Sequence, residues 1–209
     1  MGTKNISMAV IRRLPKYHRY LGDLLDKDIQ RISSKELSDI IGFTASQIRQ
    51  DLNNFGGFGQ QGYGYNVEAL YNEIGKILGL DKKYNAILIG AGNLGQAIAN
   101  YSGFRKAGFE IKALFDANPR MIGLKIRDFE ILDSQEIESV VKENEIDIAI
   151  LCIPKNGAQE IVNRLVSVGI KGVWNFAPID LEVPKDVIVE NVNLTESLFT
   201  LSYLMSEIE

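Results

Sequence analysis

The chain has 209 residues, of which 45% are hydrophobic and 24% are charged, and its formal net charge is −4. This composition is typical of a globular protein, and there is no apolar run of about 18 residues that could form a transmembrane helix. A single cysteine and a single histidine argue against a disulfide framework and against a zinc site of the Cys/His type. Because the N-terminus also lacks the apolar core of a signal peptide, we expect a cytoplasmic protein without a metal.

The charge is distributed unevenly along the chain. Residues 1–80 carry a net charge of +2, whereas residues 81–209 carry −6. Four cations share one eight-residue segment: Arg12, Arg13, Lys16 and Arg19. Clustered cations are typical of nucleic-acid binding, although a solvated helix face looks the same.

The first helix is predicted where apolar residues recur at intervals of three and four over residues 8–25. Pro15 conflicts with the interior of this helix, because proline removes a backbone hydrogen bond. We therefore expect the helix to start near Pro15, after a separate turn. Tyr17 could contact a phosphate together with Arg12, Arg13 and Lys16, but a position in the core is favoured for it.

Two short helices separated by a glycine follow. Ser33 and Glu36 form a capping-box pattern at the start of the first, and Gly42 lies where a glycine commonly ends a helix. Thr44 is placed to cap the second, which gives the spacing of a helix-turn-helix. The outward face of the second helix is expected to contact base edges and phosphates, unless it is the solvated face of an ordinary hairpin. The polar residues of this face are Ser46, Gln47, Arg49, Gln50 and Asn53.

A segment over residues 55–65 alternates glycines with aromatic residues and glutamines. Glycine weakens the interior of a strand, so this composition does not indicate a core strand. After a helix-turn-helix it predicts the wing of a winged-helix domain, with a mobile surface loop as the alternative. The candidate contacts from the wing to DNA are Gln60, Gln61 and Tyr63. Asn66 is then expected to cap a helix over residues 67–78, and a domain boundary falls near residues 79–83.

The strongest motif is Gly90-Ala91-Gly92-Asn93-Leu94-Gly95, which joins an apolar run to a predicted helix. Gly90 permits a tight turn, Gly92 lets the backbone approach a pyrophosphate, and Gly95 lets the helix pack on the strand. The start of the helix directs backbone N–H groups toward the phosphates. The motif predicts dinucleotide binding, with a nucleotide-free turn or a CoA-type ligand as the alternatives.

The strand after this helix ends on Asp116, 21 residues beyond Gly95. A carboxylate at this place can accept hydrogen bonds from an adenosine ribose and would repel the 2′-phosphate of NADP. Arg120 lies nearby and could accept that phosphate. Because Asp116 is directly at the strand end, we expect selectivity for NAD(H).

The chain continues in an alternating α/β pattern. Residues 148–153 have the composition of a parallel strand covered on both faces, and Cys152 within them is interpreted as a buried core thiol. Open α/β sheets bind ligands at the carboxyl ends of their strands, so the residues after two strands are expected to border the nicotinamide. These residues are Pro154, Asn175, Phe176, Ala177 and Pro178.

The last predicted helix, over residues 194–208, is apolar on two faces. Leu194, Leu198 and Leu201 belong to one stripe, and Phe199 and Tyr203 lie on the opposite side. A helix of this kind does not lie on the surface of a monomer. We expect it to be buried between two subunits or two domains.

Taken in this order, the segments resemble the Rex family of redox-sensing transcriptional repressors from about Val10 to the C-terminus. The resemblance is carried by Arg13-Leu14, Tyr17 and Arg19, by residues 44–52 and 55–65, by residues 90–95 with Tyr101, and by residues 175–178. It implies an α/β protein with an N-terminal winged-helix DNA-binding domain over residues 1–80. A Rossmann-like, doubly wound parallel sheet over residues 84–192 and a domain-swapped dimerisation helix over residues 193–209 would follow.

The resemblance also implies a function. Members of the family are homodimers that bind two-fold symmetric operator DNA in the presence of NAD and are released by NADH. The resemblance places Tyr101 near the nicotinamide ring and brings Arg19 to the start of the swapped helix at Asn193, where the family usually has an aspartate. Because asparagine lacks the charge, we expect a working but weaker switch.

An enzyme is the alternative, either a small NAD-dependent dehydrogenase or a subunit resembling a CoA ligase. A dehydrogenase needs a proton donor or acceptor at the hydride site. His18, the only histidine, lies in the predicted DNA-binding domain, and no second catalytic domain follows the Rossmann unit. The sequence therefore favours a repressor without catalytic residues.

Overall fold

The computed structural model describes residues 6–56, 59–60 and 63–208, with only the backbone described at residues 59–60. It divides into two compact units, Met1–Lys82 and Lys83–Glu209. We refer to them as the N-terminal and C-terminal units and describe each by itself. In the described part of the chain, no helix has both the length and the apolar character needed to cross a bilayer.

The N-terminal unit is mainly helical and carries a small sheet. Its helices are α1 (Met8–Ile11), α2 (Leu14–Leu25), α3 (Ser34–Ile41), α4 (Ala45–Asn53) and α5 (Val67–Ile77). Its strands are β1 (Arg31–Ile32), β2 (Gly59–Gln60) and β3 (Gly64–Asn66), which form an antiparallel sheet in the order β1-β3-β2. The β2–β3 hairpin follows α4, as the wing of a winged-helix domain does.

The predicted helix ends of the N-terminal unit are confirmed. Pro15 occupies the second position of α2, where its missing N–H has no partner to lose. Ser33 and Glu36 form the complete capping box of α3, and Gly42 ends that helix with a φ of 80°. The Oγ1 atom of Thr44 accepts a hydrogen bond from the backbone N–H of Gln47 and so caps α4. These caps fix the turn between α3 and α4.

A single apolar core holds the N-terminal helices together. Its fully buried members include Leu14, Tyr17, Leu21, Leu37, Ile48, Leu52, Leu70 and Ile74. Ile48 and Leu52 are the buried side of α4, so the polar residues between them face outward, as the periodicity predicts.

The C-terminal unit contains a seven-stranded sheet with the order β10-β9-β8-β4-β5-β7-β6. Its strands are β4 (Tyr84–Ile89), β5 (Phe109–Asp116), β6 (Lys125–Ile126), β7 (Phe129–Asp133), β8 (Ile148–Leu151), β9 (Gly172–Asn175) and β10 (Ile188–Asn191). All neighbouring pairs are parallel except β6 with β7. Numbered along the chain, the six parallel strands have the order 3-2-1-4-5-6 of a Rossmann fold, as predicted.

Helices connect these strands and cover the sheet. They are α6 (Asn93–Asn100), α7 (Gly103–Lys106), α8 (Ile137–Glu143) and α9 (Ala158–Ser167), and α10 (Leu194–Ser206) follows the last strand. Ile87, Phe115 and Leu151 face a core that includes α8 and α9, whereas Leu88 and Leu114 face a core that includes α6. Burial on both faces explains why these strands are continuous apolar runs.

Helix α10 is different, because none of its residues, all of which are described, is buried. The exposed fractions of its large apolar side chains range from 51% at Leu201 to 68% at Phe199. In the single chain, both apolar faces of this helix therefore contact solvent.

Candidate functional site

The glycine turn lies where the order of the strands reverses. Gly90 follows β4. On the side where the strand order reverses, β4 is next to β8 in the sheet. Loops at this point diverge and leave a crevice at the carboxyl ends of the strands, which is where open α/β sheets bind ligands. The predicted dinucleotide motif is thus in the position that its function requires.

The three glycines of the turn have different surroundings. Gly90 has a φ of 99°, and a Cβ atom there would collide with the carbonyl group of Cys152. A Cβ atom at Gly95 would collide with the carbonyl oxygen of Gly90. At Gly92 it would meet no atom within 4 Å in the described part of the chain. Packing therefore requires Gly90 and Gly95, whereas Gly92 leaves open space next to the backbone.

Helix α6 begins at this open space. Gly92 is its N-cap residue, and among the described residues no side chain caps the helix. The first backbone N–H groups, from Gly92 to Leu94, point out of the helix end together with its positive dipole. This arrangement suits a phosphate group, because N–H donors and positive potential are directed at the same place.

Asp116 lies beside the turn, at the end of β5. Its Oδ2 atom accepts a hydrogen bond from the backbone N–H of Ala91 at 2.8 Å, and its Oδ1 atom accepts one from the backbone N–H of Asn118 at 2.8 Å. Each carboxylate oxygen has a second lone pair that can accept a ribose hydroxyl. Arg120 is exposed on the loop after the strand, which leaves it free to approach the same ribose.

The opposite side of the crevice is shaped by Asn175, which is only 1% exposed. Its Nδ2 atom donates to the carbonyl oxygens of Ala177 and Ile179 and to Oδ1 of Asn191, and its Oδ1 atom accepts from the N–H of Ala177. These hydrogen bonds fold the loop that follows Asn175. The expected contact of Asn175 with a cofactor stays a prediction.

That loop presents Phe176 and Pro178 at the carboxyl edge of the sheet, while Ala177 is buried. Pro154 is exposed after β8 on the neighbouring loop. Pro178 and Asn193 line the same cleft, which has a volume of about 180 Å³. The structure thus brings together the loop predicted to border the nicotinamide and the N-cap residue of α10, the predicted dimerisation helix.

Tyr101 lies elsewhere in the C-terminal unit. It follows α6 at the end opposite to the glycine turn, and an eight-residue helix is about 12 Å long. Its ring is 61% exposed and packs edge-to-face on Phe104, with 4.8 Å between centroids. Tyr101 shares a cleft with Phe109 and Glu110, at the start of β5. Tyr101 therefore lies at the edge of the sheet opposite to the glycine turn, and its contact with the nicotinamide stays a prediction.

In the N-terminal unit, α4 presents a polar outer face. Ser46, Arg49 and Gln50 are exposed and Gln47 is half-buried. An Nη1–H of Arg49 donates to Oγ of Ser34 at 2.9 Å, so the arginine lies along the start of α3. The other predicted contacts on this face are free to approach a DNA groove.

The cation cluster divides into two groups. Arg12 and Arg19 are exposed, and the Nζ atom of Lys16 lies 4.8 Å from the ring centroid of Phe43. Arg13 instead forms two hydrogen bonds of 2.7 Å with the carboxylate of Asp51. Its guanidinium group is paired within the protein, so we do not assign Arg13 to the DNA surface, and its contact with a phosphate stays a prediction.

Tyr17 is also removed from the candidate DNA contacts. Its ring is fully buried, and its hydroxyl group donates to Oδ2 of Asp51 at 2.8 Å. Burial, with the hydrogen bond to Asp51, raises the pKa of Tyr17. Asp51 itself was not identified from the sequence, although a carboxylate three residues after the core residue Ile48 signals a buried partner.

Next to the wing lies a further cation, which no sequence pattern indicated. Arg31 lies on β1, and its guanidinium group is 5.9 Å from the ring centroid of Tyr63, which is 69% exposed. Arg31 also donates to the carbonyl oxygen of Tyr63 at 3.3 Å. The predicted contacts from the side chains of Gln60 and Gln61 lie outside the described residues.

Each of the two units matches a known family model. A family model described as a putative DNA-binding protein N-terminus matches residues 5–53, and a CoA-binding domain model matches residues 81–179. The redox-sensing transcriptional repressor Rex of Clostridioides difficile (strain 630) is 86% identical over 207 residues, which cover 99% of each chain. The chain belongs to the Rex family.

Solved structures of the family support this assignment. A crystal structure of RSP in complex with β-NAD+ and operator DNA has a TM-score of 0.92 and 66% sequence identity, and covers 98% of this chain and 94% of that chain. RSP in complex with β-NADH gives a TM-score of 0.90 at 63% identity, over 98% and 96% of the two chains. The Rex protein of Thermoanaerobacter sp. (strain X514) is 67% identical over 98% of this chain and 91% of its own.

Membership of the Rex family decides between a repressor and an enzyme. Close relatives are transcriptional repressors, so the chain is a redox-sensing repressor and not a dehydrogenase or ligase subunit. The match to a CoA-binding model reflects the Rossmann-like fold that the two classes share. Cys152, the only cysteine, is half-buried and not fully buried as predicted, and its burial raises its pKa to about 12. It is therefore a poor thiolate for redox chemistry at neutral pH.

Proposed function

We propose that this Rex-family protein binds an inverted-repeat operator as a homodimer and is released from it when NADH replaces NAD. The observation that carries the proposal is the combination, in one chain, of an exposed polar helix α4 and an uncapped glycine turn that leaves space beside Gly92. RSP, a relative with the same architecture, has been crystallised with operator DNA and β-NAD+ and with β-NADH. As a protein acting on DNA, it would work in the cytoplasm.

The proposed cofactor site uses the chain's own groups in separate roles. The N–H groups at the start of α6 hold the pyrophosphate, because Gly92 places no Cβ atom in its way. Asp116 accepts the ribose hydroxyls, with Arg120 nearby. Phe176 and Pro178 border the nicotinamide from one side, and Pro154 from the other. Asn175 positions this border through its four hydrogen bonds.

The proposed DNA surface is the outer side of the N-terminal unit. Side chains of α4 enter the major groove, and cations of α2 and the wing contact the phosphates. The residues that we assign to this surface are Arg12, Lys16, Arg31, Thr44, Ser46, Gln47, Arg49, Gln50, Gln60, Gln61 and Tyr63.

The proposed dimer is formed through α10. A 13-residue helix whose large apolar side chains are all at least half exposed would be unfavourable on a monomer. A second copy of the chain can bury both of its faces by exchange of this helix. Deleting the residues after Asn193 should then give a monomer in sedimentation experiments, and a truncated protein that stays dimeric would refute this assignment.

A selection experiment tests the proposed function. The full-length protein is used to enrich duplexes from a randomised pool in the presence of NAD, and the retained DNA is sequenced. We expect an inverted repeat, because a dimer presents two copies of α4 related by a two-fold axis. Retention of the selected duplex is then measured across NADH:NAD ratios and should fall as NADH increases. Retention that is independent of this ratio would contradict redox sensing through the cofactor.

A further inference from the structure

The carboxylate of Asp51 is buried on the inner side of helix α4, although this helix is proposed to read DNA. The residue is 2% exposed and lies on the same side of the helix as Ile48 and Leu52. Arg13 donates to it from Nε and Nη2, each at 2.7 Å, and the hydroxyl of Tyr17 donates at 2.8 Å. We call these three residues, Arg13, Tyr17 and Asp51, the Asp51 cluster.

Stability alone does not explain the Asp51 cluster. Removing a carboxylate and a guanidinium from water is costly, and well-packed apolar residues in place of a buried ion pair are often equally stable or more stable. Charged hydrogen bonds differ from apolar contacts in being directional, since a bidentate arginine fixes the plane and the distance of its carboxylate. The cluster therefore restricts how α4 can rotate and slide.

A second contact holds the other end of the same helix. Phe43 lies in the turn just before α4, and its ring meets the edge of the Tyr17 ring with 5.7 Å between centroids. The guanidinium of Arg13 and the ammonium of Lys16 lie 6.0 Å and 4.8 Å from the centroid of Phe43. The start of α2 thus contacts both ends of α4, through Phe43 and through Asp51.

Small rotations of α4 matter for base recognition. Side-chain tips on a helix lie about 5–6 Å from its axis, so a rotation of about 20° moves them by about 2 Å. Hydrogen bonds to base edges tolerate a spread of only about 0.5 Å in length. Contacts to phosphates tolerate more, because flexible cations can follow a mobile charge.

We propose that the Asp51 cluster positions the recognition helix, so that its loss lowers affinity for the operator more than affinity for non-specific DNA. Arg13, Tyr17 and Asp51 are positioning residues in this view and do not contact DNA. The inference rests on the proposed function, because it assumes that α4 reads the operator. A positioning role is recognised by a fall in the ratio of operator affinity to non-specific affinity. Loss of a phosphate contact would leave this ratio unchanged.

The first test compares Arg13→Met with Arg12→Met in the full-length protein. The two variants remove neighbouring arginines, but only Arg12 is exposed. Affinity is measured by fluorescence anisotropy for the duplex selected by the wild type and for a scrambled duplex of the same length. We expect Arg12→Met to lower the affinity for both duplexes by the same factor. The salt dependence of this affinity should fall by the amount that corresponds to about one phosphate contact.

For Arg13→Met we expect affinity for the selected duplex to fall by about tenfold, which is typical of one misplaced base contact. Affinity for the scrambled duplex should fall by less than about twofold. An equal loss on both duplexes would show that Arg13 is a phosphate contact. An unchanged affinity for the selected duplex would also overturn the inference.

The second test separates orientation from stability. The triple variant Arg13→Met, Tyr17→Phe, Asp51→Leu leaves no buried charge or hydroxyl without a partner, so it is expected to fold with a melting temperature close to that of the wild type. If the cluster orients α4, the affinity ratio stays low in this variant despite its restored stability. If the cluster only stabilises the fold, the ratio returns to the wild-type value and the inference is wrong.

Tyr17→Phe alone provides a milder change if the triple variant does not fold. It removes one hydrogen bond and keeps the Arg13–Asp51 pair, and it should lower the affinity ratio by an intermediate factor, whereas no change would contradict the inference. Failure of the proposed function looks different, because the wild type itself would then select no duplex from the pool. NADH binding by the C-terminal unit should be the same in all variants, which checks that the substitutions leave that unit intact.

Discussion

The carboxylate of Asp116 accepts a hydrogen bond of 2.8 Å from the backbone N–H of Ala91. This bond ties the end of β5 to the glycine turn after β4, the two strands that would flank the adenosine. The same carboxylate also accepts from the N–H of Asn118. Asp116 therefore stabilises the turn and places negative charge next to the proposed ribose site before any cofactor binds.

We expect the protein to bind NADH more tightly than NADPH by about tenfold or more, because unit charges about 4 Å apart repel each other by about 1–4 kcal/mol. Asp116→Asn should narrow this difference, since it removes the charge from the ribose site. Asp128→Asn removes a charge from an exposed residue between β6 and β7 and should change neither affinity. Titrations of each protein with both nucleotides measure the effect, and equal affinities in the wild type would contradict the argument.

Gly92 and Gly95 should respond differently to alanine. Gly92 has a φ of −69°, which suits alanine, and the added methyl group would occupy the open space of the phosphate site. Gly92→Ala should therefore keep its melting temperature and lose NADH affinity by about tenfold or more. Gly95→Ala forces a methyl group against the carbonyl oxygen of Gly90 and should destabilise the fold by about 1–3 kcal/mol.

Fluorescence of Trp174, the only tryptophan, can report NADH binding in these variants, because its ring packs on Phe176 with 4.7 Å between centroids. Calorimetry on the free proteins gives the melting temperatures. If Gly92→Ala bound NADH as well as the wild type does, the pyrophosphate could not lie where we propose.

Helix ends and strands of this protein could be predicted because they depend on neighbours in the sequence. The capping box of Ser33 and Glu36 spans three residues, and the apolar run of β4 shows its burial directly. The partner of Arg13 lies 38 residues away, and Asn191 lies 16 residues from Asn175. No local pattern indicates which polar side chains meet in a core, so neither of these two pairings could be predicted from the sequence.

The position of Tyr101 could not be derived for a related reason. The resemblance associates this residue with the nicotinamide, but the sequence does not say which subunit supplies the ring. In the structure α6 separates Tyr101 from the glycine turn. We therefore predict that Tyr101 contacts the nicotinamide of a second subunit's cofactor.

His18 gives the N-terminal unit a dependence on pH. Its ring stacks on Tyr71, with centroids 4.0 Å apart, where α2 packs on α5. Burial lowers the pKa of His18 below its ordinary value of 6.5, because the charged form is poorly solvated there. Below that ordinary value the unfolded chain binds a proton that the folded chain does not, so stability falls as the pH drops through about 6.5 toward the folded-state pKa.

Urea unfolding of the N-terminal unit near pH 7.5 and about pH 5.5 measures this effect. The midpoint of the wild type should fall more over this interval than that of His18→Gln, which cannot titrate. Carboxylates whose pKa is lowered by hydrogen bonds, such as Glu36 and Glu138, lose their contribution only as the pH falls through and below 4.5. Equal shifts in the two proteins would show that His18 is not the source.

The switch that the family resemblance predicts depends on Asn193, the N-cap residue just before α10. The Oδ1 atom of Asn193 accepts a hydrogen bond from the N–H of Thr195 at 3.0 Å and caps the helix. Aspartate caps helices as well as asparagine does, so Asn193→Asp adds a charge without removing the cap. This charge would lie in the cleft that Asn193 shares with Pro178, beside the proposed nicotinamide border.

We expect Asn193→Asp to widen the ratio of operator affinities measured with NAD and with NADH, because hydrogen bonds to a charged group are about twice as strong as neutral ones. Tyr101→Phe removes a hydroxyl and Arg19→Ala removes a cation, so each should narrow the ratio. Asn163→Asp makes the same chemical change at an exposed site on α9 and should leave the ratio unaltered. If neither Asn193→Asp nor Tyr101→Phe changes the ratio, these residues do not form the switch that distinguishes NAD from NADH.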